Sequence, residues 1–276
     1  MFKDMYKYKG VFVVCFVLSG MLPGCSVLPK GDDAVDFDAV ERAAQKGDAK
    51  AQNTLGYMYF QGKDAKEDKE EAAKWYTLAA EQGYATAQYN LGEMYAKGWG
   101  VKRDDAEARK LFSLAAEHGH TEAQFALGKM CWNPKVEEDK AEAIKWYKLA
   151  AEQGHMKAQI TLGKMYDEGK DVAEDKEEAA KWYKLAAKQG DAETQITLGK
   201  MYYQGKGVGE DKTEALKWFI KAAENGNIRA QLLLGWMYAE GQGGVAQDHM
   251  EAAKWYGLAA DQGNENAQSA LRQLKE

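Results

Sequence analysis

Apolar residues recur at helical spacing in two alternating kinds of stretch along most of the chain. The first kind is represented by residues 51–59, AQNTLGYMY, and its apolar face consists of Ala51, Leu55, Met58 and Tyr59. The second kind is represented by residues 68–83, and its apolar face consists of Ala72, Trp75, Tyr76, Ala79 and Ala80. The pattern therefore predicts an all-helical body built from pairs of amphipathic helices.

Both kinds of stretch repeat with a period close to 36 residues. A Leu-Gly dipeptide marks the first kind, and its glycines are Gly56, Gly92, Gly128, Gly163, Gly199 and Gly235. The second kind ends at a glycine that is suited to a left-handed helix cap; these glycines are Gly47, Gly83, Gly119, Gly154, Gly190, Gly226 and Gly263. Two interleaved series with one period indicate a repeat architecture.

Polar residues mark where the helices begin. Each second helix is expected to begin at a D-x-x-E motif, in which Asp accepts free N–H groups of the helix start and Glu, three residues later, can reach back. The pairs are Asp68/Glu71, Asp104/Glu107, Asp139/Glu142, Asp175/Glu178, Asp211/Glu214 and Asp248/Glu251. A further cap often follows the terminal glycine at once, at Asp48, Asp191, Asn227 and Asn264. These signals predict a tight turn from each second helix to the next first helix.

A single helix pair is too small to bury its own apolar face, so neighbouring pairs must stack. We expect the stacking to bury Trp75, Trp146, Trp182, Trp218 and Trp255, with Leu111 at the same position of the second repeat. The third repeat departs from the pattern, because Cys131 replaces a tyrosine and Pro134 is expected to end the first helix.

These motifs resemble the Sel1-like repeat family, which is related to tetratricopeptide repeats. The resemblance implies an α/α superhelical solenoid whose first helices line a concave face. It covers repeats at about 48–83, 84–119, 120–154, 155–190, 191–226 and 227–263, within a solenoid spanning 36–276. A partial helix precedes the repeats, and a closing helix follows at 264–276.

The N-terminal residues read as an export signal. Three lysines precede the short apolar stretch VFVVCFVL (11–18), which is too short for a stable bilayer span. Leu22-Pro23-Gly24-Cys25 resembles a bacterial lipobox, which implies a signal peptide at 1–24, lipidation of Cys25 and a tether at 25–35. Simple cleavage and an uncleaved anchor are the alternatives. Because the residue after the cysteine is Ser26 and not Asp, the resemblance implies the periplasmic face of the outer membrane, with the cell surface as an alternative.

The charge limits the class of ligand that we expect, and the cysteine content limits how the repeat body can be stabilised. The formal net charge is −6 and no long basic run occurs, which argues against nucleic-acid binding. Cys131 is the single cysteine in the repeat body, so packing and not a disulfide framework must stabilise it. We expect a monomer that contacts the membrane through its lipid and needs no cofactor.

The sequence contains few candidates for a catalytic or metal site. Cys131 with His118 or His120 could form a nucleophilic site, but a small residue replacing a core tyrosine explains it better. His118, His120 and Glu122 lack the spacing of a zinc site. Neither S-x-x-K nor G-x-S-x-G occurs, so a β-lactamase-like or cell-wall hydrolase is disfavoured. The recurrent glycine loops mark turns and not phosphate cradles.

One stripe of the first helices differs between repeats, unlike the core positions. It contains the candidate partner-binding residues Tyr57, Phe60, Tyr89, Lys129, Trp132, Lys164, Lys200, Tyr203 and Trp236. Aromatic anchors beside charged residues are typical of protein recognition surfaces. The lysines suggest an acidic peptide or protein segment; the alternative is that they solvate the helix while residues 160, 196 and 232 belong to the core.

These observations favour a non-catalytic interaction scaffold anchored to the cell envelope. The first alternative is a surface-exposed virulence or immune-evasion factor that binds a host protein. The second is the hydrolase considered above, for which the required motifs are missing.

Overall fold

The computed structural model describes residues 36–132, 137–169 and 172–274. Within these residues the chain forms fourteen α-helices, and helix α1 (Phe37–Gln45) precedes the repeats. The first helices of the six repeats are α2 (Ala49–Gln61), α4 (Ala85–Lys97), α6 (Thr121–Cys131), α8 (Met156–Glu168), α10 (Ala192–Gln204) and α12 (Ile228–Glu240). The second helices are α3 (Lys69–Glu81), α5 (Asp105–Glu117), α7 (Glu137–Glu152), α9 (Lys176–Lys188), α11 (Lys212–Glu224) and α13 (His249–Asp261). Helix α14 (Glu265–Gln273) closes the series.

Each helix packs against the helix before it and the helix after it in the chain. A second helix therefore serves both its own repeat and the first helix of the next repeat. This arrangement confirms the predicted all-α solenoid of six helix pairs, with a short helix at each end.

The Leu-Gly dipeptide has a packing role at the centre of each repeat. Its leucine is completely buried at Leu55, Leu162, Leu198 and Leu234. Its glycine lies against the aromatic ring that follows tryptophan in the second helix, so that a Cβ added at Gly163 would lie 2.6 Å from Cδ1 of Tyr183. Only glycine allows this close approach, and the same contact pairs Gly56 with Tyr76 and Gly199 with Phe219.

The tryptophan positions are buried to different degrees. Trp182, Trp218, Trp255 and the equivalent Leu111 are buried, as predicted. Trp75 and Trp146 are only half-buried, so the prediction was too strong for the first and third repeats. The indole N–H of Trp146 donates to Glu142 at 3.4 Å, which is consistent with a position at the edge of the core.

The predicted caps form at five of the six D-x-x-E motifs. In the first repeat Asp68 accepts the backbone N–H of Glu71 at 2.9 Å. The backbone N–H of Asp68 is already donated to the carbonyl of Tyr59, at 2.9 Å. Glu71 therefore has no free N–H to reach back to, and its carboxylate accepts from Lys74 at 2.8 Å instead. The predicted cap by Asp68 is confirmed, whereas the predicted hydrogen bond from the helix start to Glu71 does not form, and Glu71 pairs with Lys74 instead.

The third repeat is the exception. Helix α7 begins at Glu137, so Asp139 lies within its first turn and does not cap it, contrary to the prediction. The chain has no glycine turn here, and Glu137 and Glu138 are good helix formers that extend the helix toward its N-terminus. Helix α6 ends at Cys131, and Pro134 lies outside the described residues.

The turns between repeats follow the predicted chemistry. The terminal glycines all have positive φ, from 80° at Gly83 to 101° at Gly190. Asp48, Asp191, Asn227 and Asn264 cap the helices that follow. Two caps were not predicted: the Nδ1 atoms of His120 and His155 accept the backbone N–H groups of Ala123 in α6 and Ala158 in α8.

The predicted signal peptide, lipidated Cys25 and tether lie outside the described residues, as does the end of the predicted closing segment, residues 275–276. In the part of the chain that the structure does describe, no helix combines the length and apolar character needed to cross a membrane.

Candidate protein-binding surface

The three predicted lysines occupy one position on three successive first helices. Lys129, Lys164 and Lys200 each follow the buried glycine of a Leu-Gly dipeptide, and all three are exposed. Because the glycine faces its own second helix, the next residue points away from that helix. The equivalent residue of the last repeat, Trp236, is also exposed, at 47%. We refer to Lys129, Lys164 and Lys200 as the lysine row.

The lysine row carries positive charge without a carboxylate partner among the described residues. The ammonium of Lys129 lies 6.0 Å from the Phe125 ring, a contact that leaves its charge unneutralised. Other lysines differ: Lys97 pairs with Glu93 on the preceding turn, and Lys181 of a second helix pairs with Glu178 at 3.0 Å. Within the described residues, the row therefore consists of three exposed ammonium groups that have no ion pair.

Tyr89 does not belong to the exposed surface. Its side chain is 3% exposed and lies between the rings of Phe112, at 5.7 Å, and His120, at 4.8 Å. Burial also raises the pKa of its hydroxyl well above the usual range. The residue after each glutamine faces the next repeat rather than solvent, since Asn53 and Ile196 are buried at the same position. Residues 160 and 232 are half-buried there, so this part of the stripe belongs largely to the core.

The remaining predicted aromatics, Tyr57, Phe60, Trp132 and Tyr203, are half-buried. Phe60 packs against Trp99 with ring centroids 5.3 Å apart, and Lys97 lies 4.4 Å from the centroid of the Trp99 ring. Trp99 was missed by sequence reasoning, because it lies in the glycine turn after α4. Its signal was nevertheless visible, since the other glycine turns have a polar residue at this position.

A set of buried glutamines sets the alignment of the first helices and was also missed. In the fourth repeat Gln159 donates to the carbonyl of Ala151 at 2.9 Å and accepts from Gln189 at 2.8 Å. The corresponding glutamines are Gln52, Gln88, Gln124, Gln195 and Gln231. Each connects the preceding helix, its own first helix and the residue that follows its own second helix, which keeps successive first helices in register. The signal was a polar residue recurring unchanged among core positions.

The residues considered for catalysis have other partners. The Sγ atom of Cys131 lies 3.5 Å from the guanidinium of Arg109, and burial raises the pKa of the thiol. His118 contacts Gln88 at 3.3 Å, and His120 caps α6. Among the described residues, no group of three or more histidine, cysteine, aspartate or glutamate side chains is arranged to hold a metal.

The repeat assignment is decided by comparison with known families. The model of the Sel1 repeat matches residues 49–84, 85–120, 121–155, 157–191, 192–227 and 228–264. The chain belongs to the Sel1 repeat family. The matched repeats begin within two residues of the predicted boundaries. Sel1 and tetratricopeptide-like repeat proteins are generally protein-interaction scaffolds and are typically not catalytic.

Two solved Sel1 repeat structures are similar to this chain over most of its length. A Sel1 repeat protein from Oxalobacter formigenes is 34% identical with a TM-score of 0.62, covering 81% of this chain and 90% of its own. The protein c5321, described as a protective antigen present in uropathogenic Escherichia coli strains, is 32% identical with a TM-score of 0.52; the match covers 86% of this chain and 67% of c5321. No curated protein matches the chain.

Proposed function

We propose that this Sel1 repeat protein is a non-catalytic adaptor that binds an acidic segment of another protein along its first helices. The observation that carries the proposal is the lysine row, Lys129, Lys164 and Lys200, exposed on three successive repeats and without ion partners among the described residues. One period separates neighbouring members, so an extended ligand crossing the third to fifth repeats would meet a positive charge in each of them.

Charge alone does not account for affinity. An exposed ion pair is worth about 0.2–1 kcal/mol, so three pairs supply orientation and association rate more than binding energy. Aromatic side chains contribute more when a ligand desolvates them. Trp236 is 47% exposed, and the half-buried Tyr203 lies on the preceding repeat. We therefore propose a ligand with carboxylates over the lysine row and an apolar anchor near Trp236.

Charge reversal tests this proposal. The triple variant Lys129→Glu, Lys164→Glu, Lys200→Glu should capture much less partner in a pull-down from the native membrane, while its circular dichroism spectrum is unchanged. The matched control, Lys46→Glu, Lys188→Glu, Lys206→Glu, changes the net charge equally at other exposed lysines and should capture the partner as the wild type does. Equal capture by both triple variants and the wild type, or equal loss in both variants, would contradict the proposal.

We also propose that the chain is exported, lipidated at Cys25 and held at the periplasmic face of the outer membrane. The support is the export-signal pattern of residues 1–24 and the lipobox-like sequence that ends at Cys25. Cells supplied with labelled palmitate should incorporate the label into the wild type and not into Cys25→Ser, which should also leave the membrane fraction. A labelled Cys25→Ser protein would refute lipidation at this residue.

Display on the cell surface, with binding of a host protein, is the second candidate. It is favoured by the 32% identity to a protein described as a protective antigen. Protease added to intact cells should digest a surface-displayed chain and spare a periplasmic one.

Catalysis is tested separately, by assaying the purified protein on β-lactam and cell-wall substrates beside Cys131→Ser. Turnover that this substitution abolishes would contradict a non-catalytic role.

A further inference from the structure

A second exposed row runs along the other set of helices. Among the described residues, most of the exposed large apolar side chains occupy one position of the second helices. In the first repeat this position is Leu78, three residues after Trp75. These residues, which we call the leucine row, are Leu78, Leu114, Leu185 and Leu258, and they are 37–44% exposed. The two other repeats have the half-buried Leu149 and the exposed Lys221 at this position. Single exposed leucines are common, but these four recur at one repeat position and so form a series along the stacked second helices.

Charged residues flank the leucine row in a fixed order. Each second helix has a lysine four residues before the row position: Lys74, Lys110, Lys145, Lys181, Lys217 and Lys254. Three residues after it, five of the six helices have an acidic residue: Glu81, Glu117, Glu152, Glu224 and Asp261, with Lys188 as the exception. Residues at i, i+4 and i+7 lie along one stripe of a helix. The leucine row therefore lies between a row of lysines on one side and a row of carboxylates on the other.

This order of charges restricts what can cover the row. An anionic membrane would attract the lysines but repel the carboxylates beside them. A surface with the mirror order of charges would match both sides at once. A second copy of the chain provides that order when the two copies are related by a two-fold axis parallel to the leucine row. The axis places lysines opposite carboxylates in every repeat except the fourth, where Lys181 would face Lys188, and it places apolar side chains opposite each other in every repeat except the fifth, where Lys221 would face its own counterpart.

We propose that the leucine row is an interface between two copies of this chain, packed side by side with their second helices antiparallel across it. The proposal replaces the monomer expected from the sequence. Most of the lysines that flank the leucine row already pair with a glutamate on their own helix, as Lys74 does with Glu71 at 2.8 Å. The leucines therefore carry the contact, and the flanking charges set its orientation. Because the lysine row lies on the other set of helices, both copies keep it open, and the dimer would present two binding surfaces.

Cysteine crosslinking tests the interface in the full-length chain. A residue close to the two-fold axis meets its own counterpart, so Leu78→Cys and Leu114→Cys should form disulfide-linked dimers in native membranes treated with copper phenanthroline. Trp236→Cys is the matched control, since this residue is equally exposed but lies on a first helix. We expect at least ten times more dimer from the leucine positions. Equal dimer from Trp236→Cys, or protection of the Leu114→Cys thiol from a water-soluble maleimide without any dimer, would overturn the proposal.

A charge exchange tests the direction of the axis. The variant Lys74→Glu, Glu81→Lys, Lys110→Glu, Glu117→Lys keeps opposite charges facing each other within its own homodimer. In Leu114→Cys backgrounds it should crosslink to itself as efficiently as unexchanged Leu114→Cys does. When the two are coexpressed with different epitope tags, like charges meet in the mixed dimer, which should fall at least several-fold below either homodimer. Random mixing of the two chains would contradict a two-fold axis parallel to the leucine row.

Discussion

The side-chain amide of Gln189 donates a hydrogen bond to Oε1 of Gln159 at 2.8 Å. Gln159 in turn donates to the carbonyl of Ala151 at 2.9 Å, so one buried side chain connects α7, α8 and α9. Equivalent links recur in the other repeats, where the donor to the glutamine is also a glutamine, or Asn225 in the fifth repeat. In the second repeat the partner is His118, whose hydrogen-bonding role depends on its tautomer. The periodicity of the solenoid therefore rests on polar contacts as well as on packing.

Replacement of this glutamine should weaken the stack. Gln159→Ala removes the buried hydrogen bond to the carbonyl of Ala151 and one of the two acceptors of the Gln189 amide, which keeps the carbonyl of Gly154 at 3.0 Å. We expect the free energy of unfolding to fall by about 1–3 kcal/mol, as measured by urea denaturation. Gln204→Ala, at an exposed residue near the end of α10, should change it by less than about 0.5 kcal/mol. Equal stability of the two variants would contradict the role assigned to Gln159.

The glycine turns offer a matched pair of substitutions. Gly207 has a φ of 67°, and a Cβ there would overlap the carbonyl group of Lys176 in the preceding repeat. Gly207→Ala should therefore destabilise the protein by about 2–4 kcal/mol. Gly209, two residues later, has no atom within 4 Å of the place that a Cβ would take, and it does not need positive φ. Gly209→Ala should leave the melting temperature nearly unchanged, and a similar loss in both variants would refute the close contact between repeats.

Much of the fold followed from the sequence because packing and turn residues recur at fixed spacing. The Leu-Gly glycines, the terminal glycines and the capping aspartates each solve the same local problem in successive repeats, so their physical roles could be inferred. The start of α7 could not, because the cap signal at Asp139 competes with a helix-favouring stretch and no glycine turn ends the preceding segment. The histidine caps were missed because histidine is seldom chosen for this role.

The different burial of Trp182 and Trp236 predicts that their replacement by alanine lowers stability to different extents. Trp182 is 9% exposed and packs between repeats, so Trp182→Ala should lower the free energy of unfolding by about 3–5 kcal/mol. Trp236→Ala removes the same side chain from a position that is 47% exposed and should cost about 1 kcal/mol or less. Thermal denaturation of both variants distinguishes them. An unchanged melting curve for Trp182→Ala would count against the stacked core.

The two histidine caps predict a loss of stability in acid. Burial lowers the pKa of His120 and of His155, while Glu122 opposes the shift in both. In the unfolded chain these histidines titrate near pH 6.5, so as pH falls the unfolded state binds protons before the folded state does. The stability that comes from the two neutral histidines is therefore complete above pH 6.5 and is lost as pH falls toward their folded-state pKa. Protonation also removes the lone pair with which Nδ1 accepts the N–H of Ala123 or Ala158.

The double variant His120→Asn, His155→Asn tests this pH dependence. Asparagine caps α12 and α14 in the same way and does not titrate. Between pH 7.5 and pH 5 the wild type should therefore lose more stability than the variant. His249→Asn, at an exposed residue, should keep the slope of the wild type. Parallel slopes for all three proteins would show that the buried caps do not contribute.

The candidate site was only partly predictable. Helical spacing located the exposed lysines, because a residue next to a core glycine has to face away from its partner helix. The same spacing could not show that Tyr89 is enclosed by Phe112 and His120, since those rings come from other parts of the chain. Trp99 was missed because a turn residue has no periodic pattern to place it.

Site-specific photocrosslinking tests most directly whether the first helices are the binding surface. A photoreactive amino acid would replace Lys164, on the lysine row, or Lys188, at the exposed end of second helix α9, in the full-length chain in living cells. Position 164 should yield an adduct with a different protein that is suppressed by Lys129→Glu and Lys200→Glu. Position 188 should yield no such adduct. The same foreign protein crosslinked from position 188 and not from position 164 would contradict the proposed function.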